Sequence, residues 1–301
     1  MIHDNKEEFI KILERAAKKK GFLLPLIEKD YYLTLILSRV HELSESLIFK
    51  GGTCLNKIYY AYYRLSEDLD FSMVLPRYEA TRSQRRKCIQ PVKDRIKKFV
   101  EQFGMKIDDT GNPGRNESKQ YVYSLVYQSV LRPLEARIKL EIGLRFNPIM
   151  PVETYYIQHT FLHPFTKEPL FDAGSVNCFA LKELVAEKLR AAATRLTIAP
   201  RDFYDLGYLL KAGFNFQDPE FLQLFKRKLA EDEFDTDLKK YRFNLGRSDQ
   251  EITDMGVRIE AELFDVLTPD ERKNFNLDIT LKWINKEMKE AELCLTWKRR
   301  S

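Results

Sequence analysis

Two short stretches carry the residue types that handle phosphate and divalent cations: Lys50-Gly51-Gly52-Thr53, and Arg64-Leu65-Ser66-Glu67-Asp68-Leu69-Asp70-Phe71. Paired glycines between an apolar burst and a helical stretch let the backbone approach a ligand closely, and a helix opening at Thr53 would aim unpaired N–H groups at it. The Thr53 hydroxyl offers a further donor and Lys50 a cation. Asp68 and Asp70 are two apart on an alternating segment, so both carboxylates leave the same face of a strand.

Two carboxylates a few ångströms apart repel unless a cation lies between them, and hard oxygen ligands suit Mg²⁺ or Mn²⁺. Glu141, on the polar face of a segment that alternates Ile138, Leu140 and Ile142 with Arg137 and Lys139, is the candidate third ligand. Three carboxylates and two divalent ions about 3.5–4 Å apart would clamp the attacking and leaving oxygens of a phosphoryl or nucleotidyl displacement, and without Glu141 the chemistry would be that of one metal. Taken singly, each feature has a plain structural explanation: a glycine pair makes a turn, Asp-x-Asp a solvated face, and Glu141 an outward position. In the order strand, Gly-Gly-Thr, helix, Asp-x-Asp strand they specify a metal–triphosphate geometry.

A second charged cluster comprises Glu187-Lys188, Arg190, Arg195 and Arg201-Asp202-Phe203-Tyr204-Asp205. Asp202 and Asp205 share a helix face, and Lys188 could serve as a cation for a triphosphate with Asp202 orienting it or acting as a base. The structural alternative is a salt-bridge network tying two helices together. Between Arg82 and Lys98 the basic residues, among them Arg85, Arg86, Lys93 and Lys97, face a single acid, Asp94. Such a run either tracks an RNA backbone or is the solvated side of an amphipathic helix whose apolar side is Ile89, Val92, Ile96, Phe99 and Val100. His159 and His163 are four apart, but Pro164 and the aromatic neighbours point to structural histidines rather than a metal pair.

The elements that must position these groups are legible in outline. Residues 7–19 and 28–43 have helical spacing, with Asp30 near the start of the second segment. Leu47-Ile48-Phe49 reads as a buried strand, 53–63 as helix and 64–75 as a strand burying Leu69, Phe71 and Met73. A basic helix over 81–103, kinked or broken near Pro91, precedes a hairpin of strands 121–127 and 136–144 turning at Arg132-Pro133. A strand with loops fills 145–174. From about residue 175 the periodicity is helical, so the chain passes from α+β to all-α there.

With 301 residues, 50 Lys+Arg against 45 Asp+Glu and 44% hydrophobic residues, the chain is globular and only weakly basic, so a nucleic-acid surface would have to be local. Cys54, Cys88, Cys178 and Cys294 are scattered without a CxxC pair, which fits a reducing compartment. The polar, acidic amino terminus and the lack of an apolar run of membrane-spanning length place the protein in the cytoplasm, away from any membrane.

The run Glu28-Lys29-Asp30-Tyr31, then Phe49-Lys50-Gly51-Gly52-Thr53, Arg64-x-Ser66-x-Asp68-x-Asp70-Phe71, Glu187-Lys188 and Arg201-Asp202-x-x-Asp205 resembles AbiEii/AbiGii-type nucleotidyltransferase toxins in order and spacing over roughly residues 20–212. Residues 213–301 add no motif to the likeness. The resemblance implies an α+β fold: a DNA-polymerase-β-like nucleotidyltransferase core with a mixed sheet over 1–174, then a helical domain over 175–301 that contributes Lys188 and Asp202. It also implies an NTP-dependent, Mg²⁺- or Mn²⁺-dependent enzyme, the toxin of a toxin–antitoxin or phage-defence system, which transfers a nucleoside monophosphate to RNA, with tRNA acceptor ends as a target class and a cognate antitoxin as partner. Matched by position, Lys50, Gly51, Gly52 and Thr53 line the phosphates, Asp68 and Asp70 bind metal, and Ser66 sits in the site. Many members have Ser where this chain has Thr53, which keeps the hydroxyl. Two other outputs share the same pocket: an idle nucleotide-binding protein that works by associating with an antitoxin or other protein, and an enzyme that modifies a protein or small molecule.

Overall fold

In the computed structural model the described residues are 1–77, 80–108, 111–196, 199–241 and 247–297, with side chains to 291. The chain divides into two compact units, Met1–Ala180 and Leu181–Ser301.

The first unit opens with α1 (Lys6–Lys20), capped by the Asn5 side chain at its start and by left-handed Gly21 at its end. It buries Phe9, Ile12, Leu13 and Ala16 along one stripe. Helix α2 (Leu24–Ser38) is buried over most of its surface, as expected of a helix with apolar residues all round. Asp30 therefore lies in the middle of this helix rather than near its start. Its carboxylate is 1% exposed and sits 2.6 Å from the ammonium of Lys57. That ammonium also donates to Thr34 Oγ1 and to the Tyr62 hydroxyl, and Tyr62 donates to Asp30. A buried charge pair needs this full set of partners to offset desolvation.

The mixed sheet is built from β1 (Leu47–Lys50), β2 (Asp68–Met73), β3 (Lys106–Ile107), β4 (Gly114–Arg115), β5 (Gln120–Gln128), β6 (Glu135–Gly143), β7 (Glu153–Tyr156) and β8 (Ser175–Cys178). Among the described residues the order is β3-β5-β6-β2-β1-β8-β7, with β4 also on β5. Strand β2 runs antiparallel to β1 and parallel to β6, while β5 and β6 form the antiparallel hairpin. Leu69, Phe71 and Met73 of β2 and Ile138, Leu140 and Ile142 of β6 are fully buried on one face. The alternation leaves Asp68, Asp70, Lys139 and Glu141 together on the other.

Between β1 and β2 the helical segment starts at Gly51 rather than Thr53. It consists of one α turn, α3 (Gly51–Cys54), followed by a π turn, Leu55–Tyr59. Ala61 and Tyr62 then take positive φ values, a conformation held at Tyr62 by its bonds to the Asp30–Lys57 pair. Helix α4 (Arg82–Glu101) is continuous through Pro91. Proline forfeits one backbone bond there, and Pro91 lies on the exposed side.

Residues 175–178, expected to open the helical part, instead form β8: Val176 and Cys178 are buried and the strand pairs parallel with β1 at Phe49. In the second unit α5 (Leu181–Thr194), α6 (Pro200–Lys211) and α7 (Pro219–Glu231) precede the helices Asp249–Glu262, Pro269–Asn274 and Leu277–Trp297. Leu184, Leu189, Phe203, Leu206, Phe221 and Phe225 form its core. Lys298, Arg299 and Arg300 lie outside the described residues.

Candidate active site

Strand β1 ends at Lys50, directly opposite Asp70 in the register with β2. At Gly51 the backbone enters the left-handed region, φ +77°, which glycine adopts without penalty. A side chain here is excluded by space as well as by conformation: a Cβ on Gly51 would overlap Asp70 Oδ2 and stand 2.9 Å from Asp70 Cβ. The Asp70 carboxylate thus lies against the glycine backbone. At Gly52 an added Cβ would be 2.8 Å from Arg64 Nη2 and 3.3 Å from Ser66 Oγ. Both glycines are therefore walled by side chains of the segment that leads into and along β2.

Thr53 is 1% exposed and its hydroxyl donates to the backbone oxygen of Asp68. That bond ties α3 to β2 and uses the hydroxyl's one proton, so the expected side-chain donor for phosphate is spent on structure. Helix α3 also has a single α turn, which gives far less dipole than a long helix. What remains for an anion is the local backbone with Lys50 and Arg64. The Lys50 ammonium lies 5.6 Å from the Phe179 ring centre, and Arg64 is buried with Nη1 bonded to Leu65 O.

The parallel pairing of β2 with β6 sets Asp68 opposite Lys139 and Asp70 opposite Glu141. Lys139 Nζ is 3.1 Å from Glu141 Oε2 and 4.0 Å from Asp68 Oδ2, while Gln120 donates to Glu141 Oε1 at 2.6 Å. Burial, then the charge of Glu141, pushes the Asp70 carboxyl up to about 6, against the opposing pull of Lys139 and Lys50. On Lys139 burial acts to lower the ammonium pKa, yet Glu141, Asp68 and Asp70 leave it raised.

The donor chemistry suits a hard divalent cation: three carboxylates on neighbouring strands, one with a pKa raised by burial and then by its neighbour, and an ammonium beside them as counter-charge. Among the described residues no three His, Cys, Asp or Glu side chains converge as they stand into a group that could hold an ion. Lys139 and Gln120 hold Glu141 to themselves.

In the second unit Lys188 Nζ is 3.0 Å from Asp202 Oδ1 and 2.9 Å from Asp205 Oδ2, and Arg195 Nη1 is 2.7 Å from Asp202 Oδ2. Lys188 and Asp202 are thus brought together, inside the salt-bridge network that was the structural alternative. Glu187 points elsewhere, to Lys228, which also pairs with Glu183 and Glu231.

Of the basic residues on α4, Arg85 is withdrawn from any RNA: it is buried, and its guanidinium donates to Ala80 O and Glu117 O. Lys93 is half-buried with its ammonium 4.8 Å from the Tyr121 ring centre, whereas Arg86 and Lys97 are exposed. His159 stacks on Phe171 and His163 bonds within its own loop, so they form no pair. Sequence reasoning missed two residues. Arg64 stood inside a motif without a role, and Lys139, on the same face of β6 as Glu141, gains its second partner only through the register that sets it opposite Asp68.

A sequence model described as nucleotidyl transferase AbiEii toxin of a type IV toxin–antitoxin system matches residues 35–280. No curated protein matches the sequence. Among solved structures the chain is similar to JHP933 from Helicobacter pylori, with TM-score 0.54 and 17% identity over 93% of this chain and 97% of that one. It is also similar to MenT4, a nucleotidyltransferase toxin from Mycobacterium tuberculosis H37Rv, with TM-score 0.56 and 17% identity over 95% and 98%. The structural likeness shows a shared fold, and the family match spans most of the chain and both charged clusters. The chain belongs to the AbiEii family of nucleotidyltransferase toxins of type IV toxin–antitoxin systems.

Proposed function

We propose that this nucleotidyltransferase moves a nucleoside monophosphate from an NTP to an RNA hydroxyl, with tRNA as the acceptor class, releasing pyrophosphate. The observation that carries the reading is the packing of the Asp70 carboxylate on Gly51, with Asp68 beside it and Glu141 in register. Asp68 and Asp70, with Glu141, would hold Mg²⁺ or Mn²⁺. Such an ion supplies charge stabilisation at the α-phosphate and the departing pyrophosphate.

The chain's own residues do the rest. The Gly51-Gly52-Thr53 backbone admits the triphosphate, with Lys50 and Arg64 as its nearest cations and Ser66 at the wall of the same turn. The family motif also matches Lys188 and Asp202, which pair within the second unit, Asp202 holding an ammonium that would serve as a further cation. Exposed Arg86 and Lys97 contact the RNA backbone. The activity serves a toxin restrained by a cognate antitoxin, in phage defence.

The test incubates pure protein with total tRNA, Mg²⁺ and each labelled NTP in turn. Label on RNA that disappears with Asp70→Ala supports the reading. Label on protein or on a small molecule moves the acceptor to that class, and no label with any NTP contradicts the transfer.

A further inference from the structure

We propose that Lys139 is a tethered cation of the carboxylate cluster, occupying with its ammonium a position for which a divalent ion must compete. The inference rests on the metal reading above and deepens it.

Three observations support it. The β2–β6 register places Lys139 directly opposite Asp68 and two residues before Glu141, on the same face as both. Its Nζ reaches both carboxylates, at 3.1 Å from Glu141 and 4.0 Å from Asp68. Its side chain is 45% exposed, so the ammonium could turn to water; it turns to the cluster instead.

Charge balance gives the consequence. Asp68, Asp70 and Glu141 together are neutralised by one divalent ion plus Lys139, whereas two divalent ions plus Lys139 overfill the set by two positive charges. Without nucleotide, therefore, the second ion has no electrostatic reason to enter while Lys139 stays. The first ion also meets a like charge a few ångströms away and finds Glu141 already engaged by Lys139 and Gln120. A like charge at that range in a partly buried site weakens binding by at least about tenfold. Lys139 thus sets both the affinity and the number of ions, and keeps the carboxylates from repelling one another when no ion is bound.

The experiment is Mn²⁺ titration of the full chain without nucleotide, at fixed pH and ionic strength, followed by calorimetry and by the electron paramagnetic resonance signal of free Mn²⁺. Lys139→Met and Lys139→Gln should bind Mn²⁺ about tenfold more tightly or better than the parent and admit a second ion, while Lys139→Arg stays at the parental affinity. Asp70→Asn should lose binding. Equal affinity and stoichiometry in the parent and both neutral variants would overturn the role of Lys139 and leave the metal site standing. No Mn²⁺ binding by parent or neutral variants, each folded by circular dichroism, would overturn both.

Discussion

At Gly51 a single residue carries two requirements, a left-handed backbone and the absence of a Cβ in the space of the Asp70 carboxylate. Gly51→Ala must push Asp70 aside or distort the turn. We expect nucleotidyl transfer to fall about 100-fold, the cost of moving a reacting group by roughly an ångström, while the protein still folds. Initial rates set beside a urea unfolding curve check this. Asp70 itself makes a prediction about pH in metal-free protein. Its carboxyl titrates at about 6 against an ordinary 3.8, so the folded state holds the proton more tightly than the unfolded state. Stability from this group is greatest at acid pH and is lost as pH rises from about 4 to about 6. Urea midpoints measured in EDTA across that window should fall for the parent relative to Asp70→Asn; parallel curves would remove the electrostatic strain from the account.

At the scale of elements, the link between α2 and the π turn after α3 is the buried Lys57–Asp30 pair with Thr34 and Tyr62. Lys57→Met strands the Asp30 carboxylate in a dry interior and should cost about 3–5 kcal/mol in urea unfolding, with Asp30→Asn added to it recovering part of the loss. An effect under about 1 kcal/mol would show the pair to be dispensable. The elements themselves were largely legible. Period-two alternation at Leu69, Phe71 and Met73 and at Ile138, Leu140 and Ile142 defines two half-buried strands without reference to anything distant. The partnerships were not legible, because register is a long-range property. Nothing near Asp30 names Lys57, nothing near Thr53 shows its hydroxyl spent on Asp68, and nothing near Glu141 names Asp68, although Lys139, two residues before it, shares its face by alternation alone. Arg85 was different: it is four residues before Ile89, on the apolar stripe of α4, and helical geometry alone could have removed it from the exposed set.

For the whole molecule, the formal charge of +5 gives little general attraction to RNA. Affinity must come from local cations, and α4 presents Arg86 and Lys97 to solvent after Arg85 is subtracted. Arg86→Glu with Lys97→Glu should weaken tRNA binding whatever the sequence, and should flatten the slope of log affinity against log salt by about 1.5, near 0.7–0.9 per lost phosphate contact. Unchanged slope and affinity would move the RNA surface elsewhere. Among the described residues no helix is long and apolar enough to cross a membrane. In the first unit the Asp70 carboxylate packs on Gly51, and in the second Lys188 sits between Asp202 and Asp205.

The most direct measurement is a crystal structure of the full chain with Mn²⁺ and a non-hydrolysable NTP analogue, using manganese anomalous scattering. The account predicts an anomalous peak within coordination distance of Asp68 and Asp70, with the triphosphate laid along Gly51 and Gly52. A nucleotide bound on any other surface, or manganese bound away from both aspartates, would contradict it.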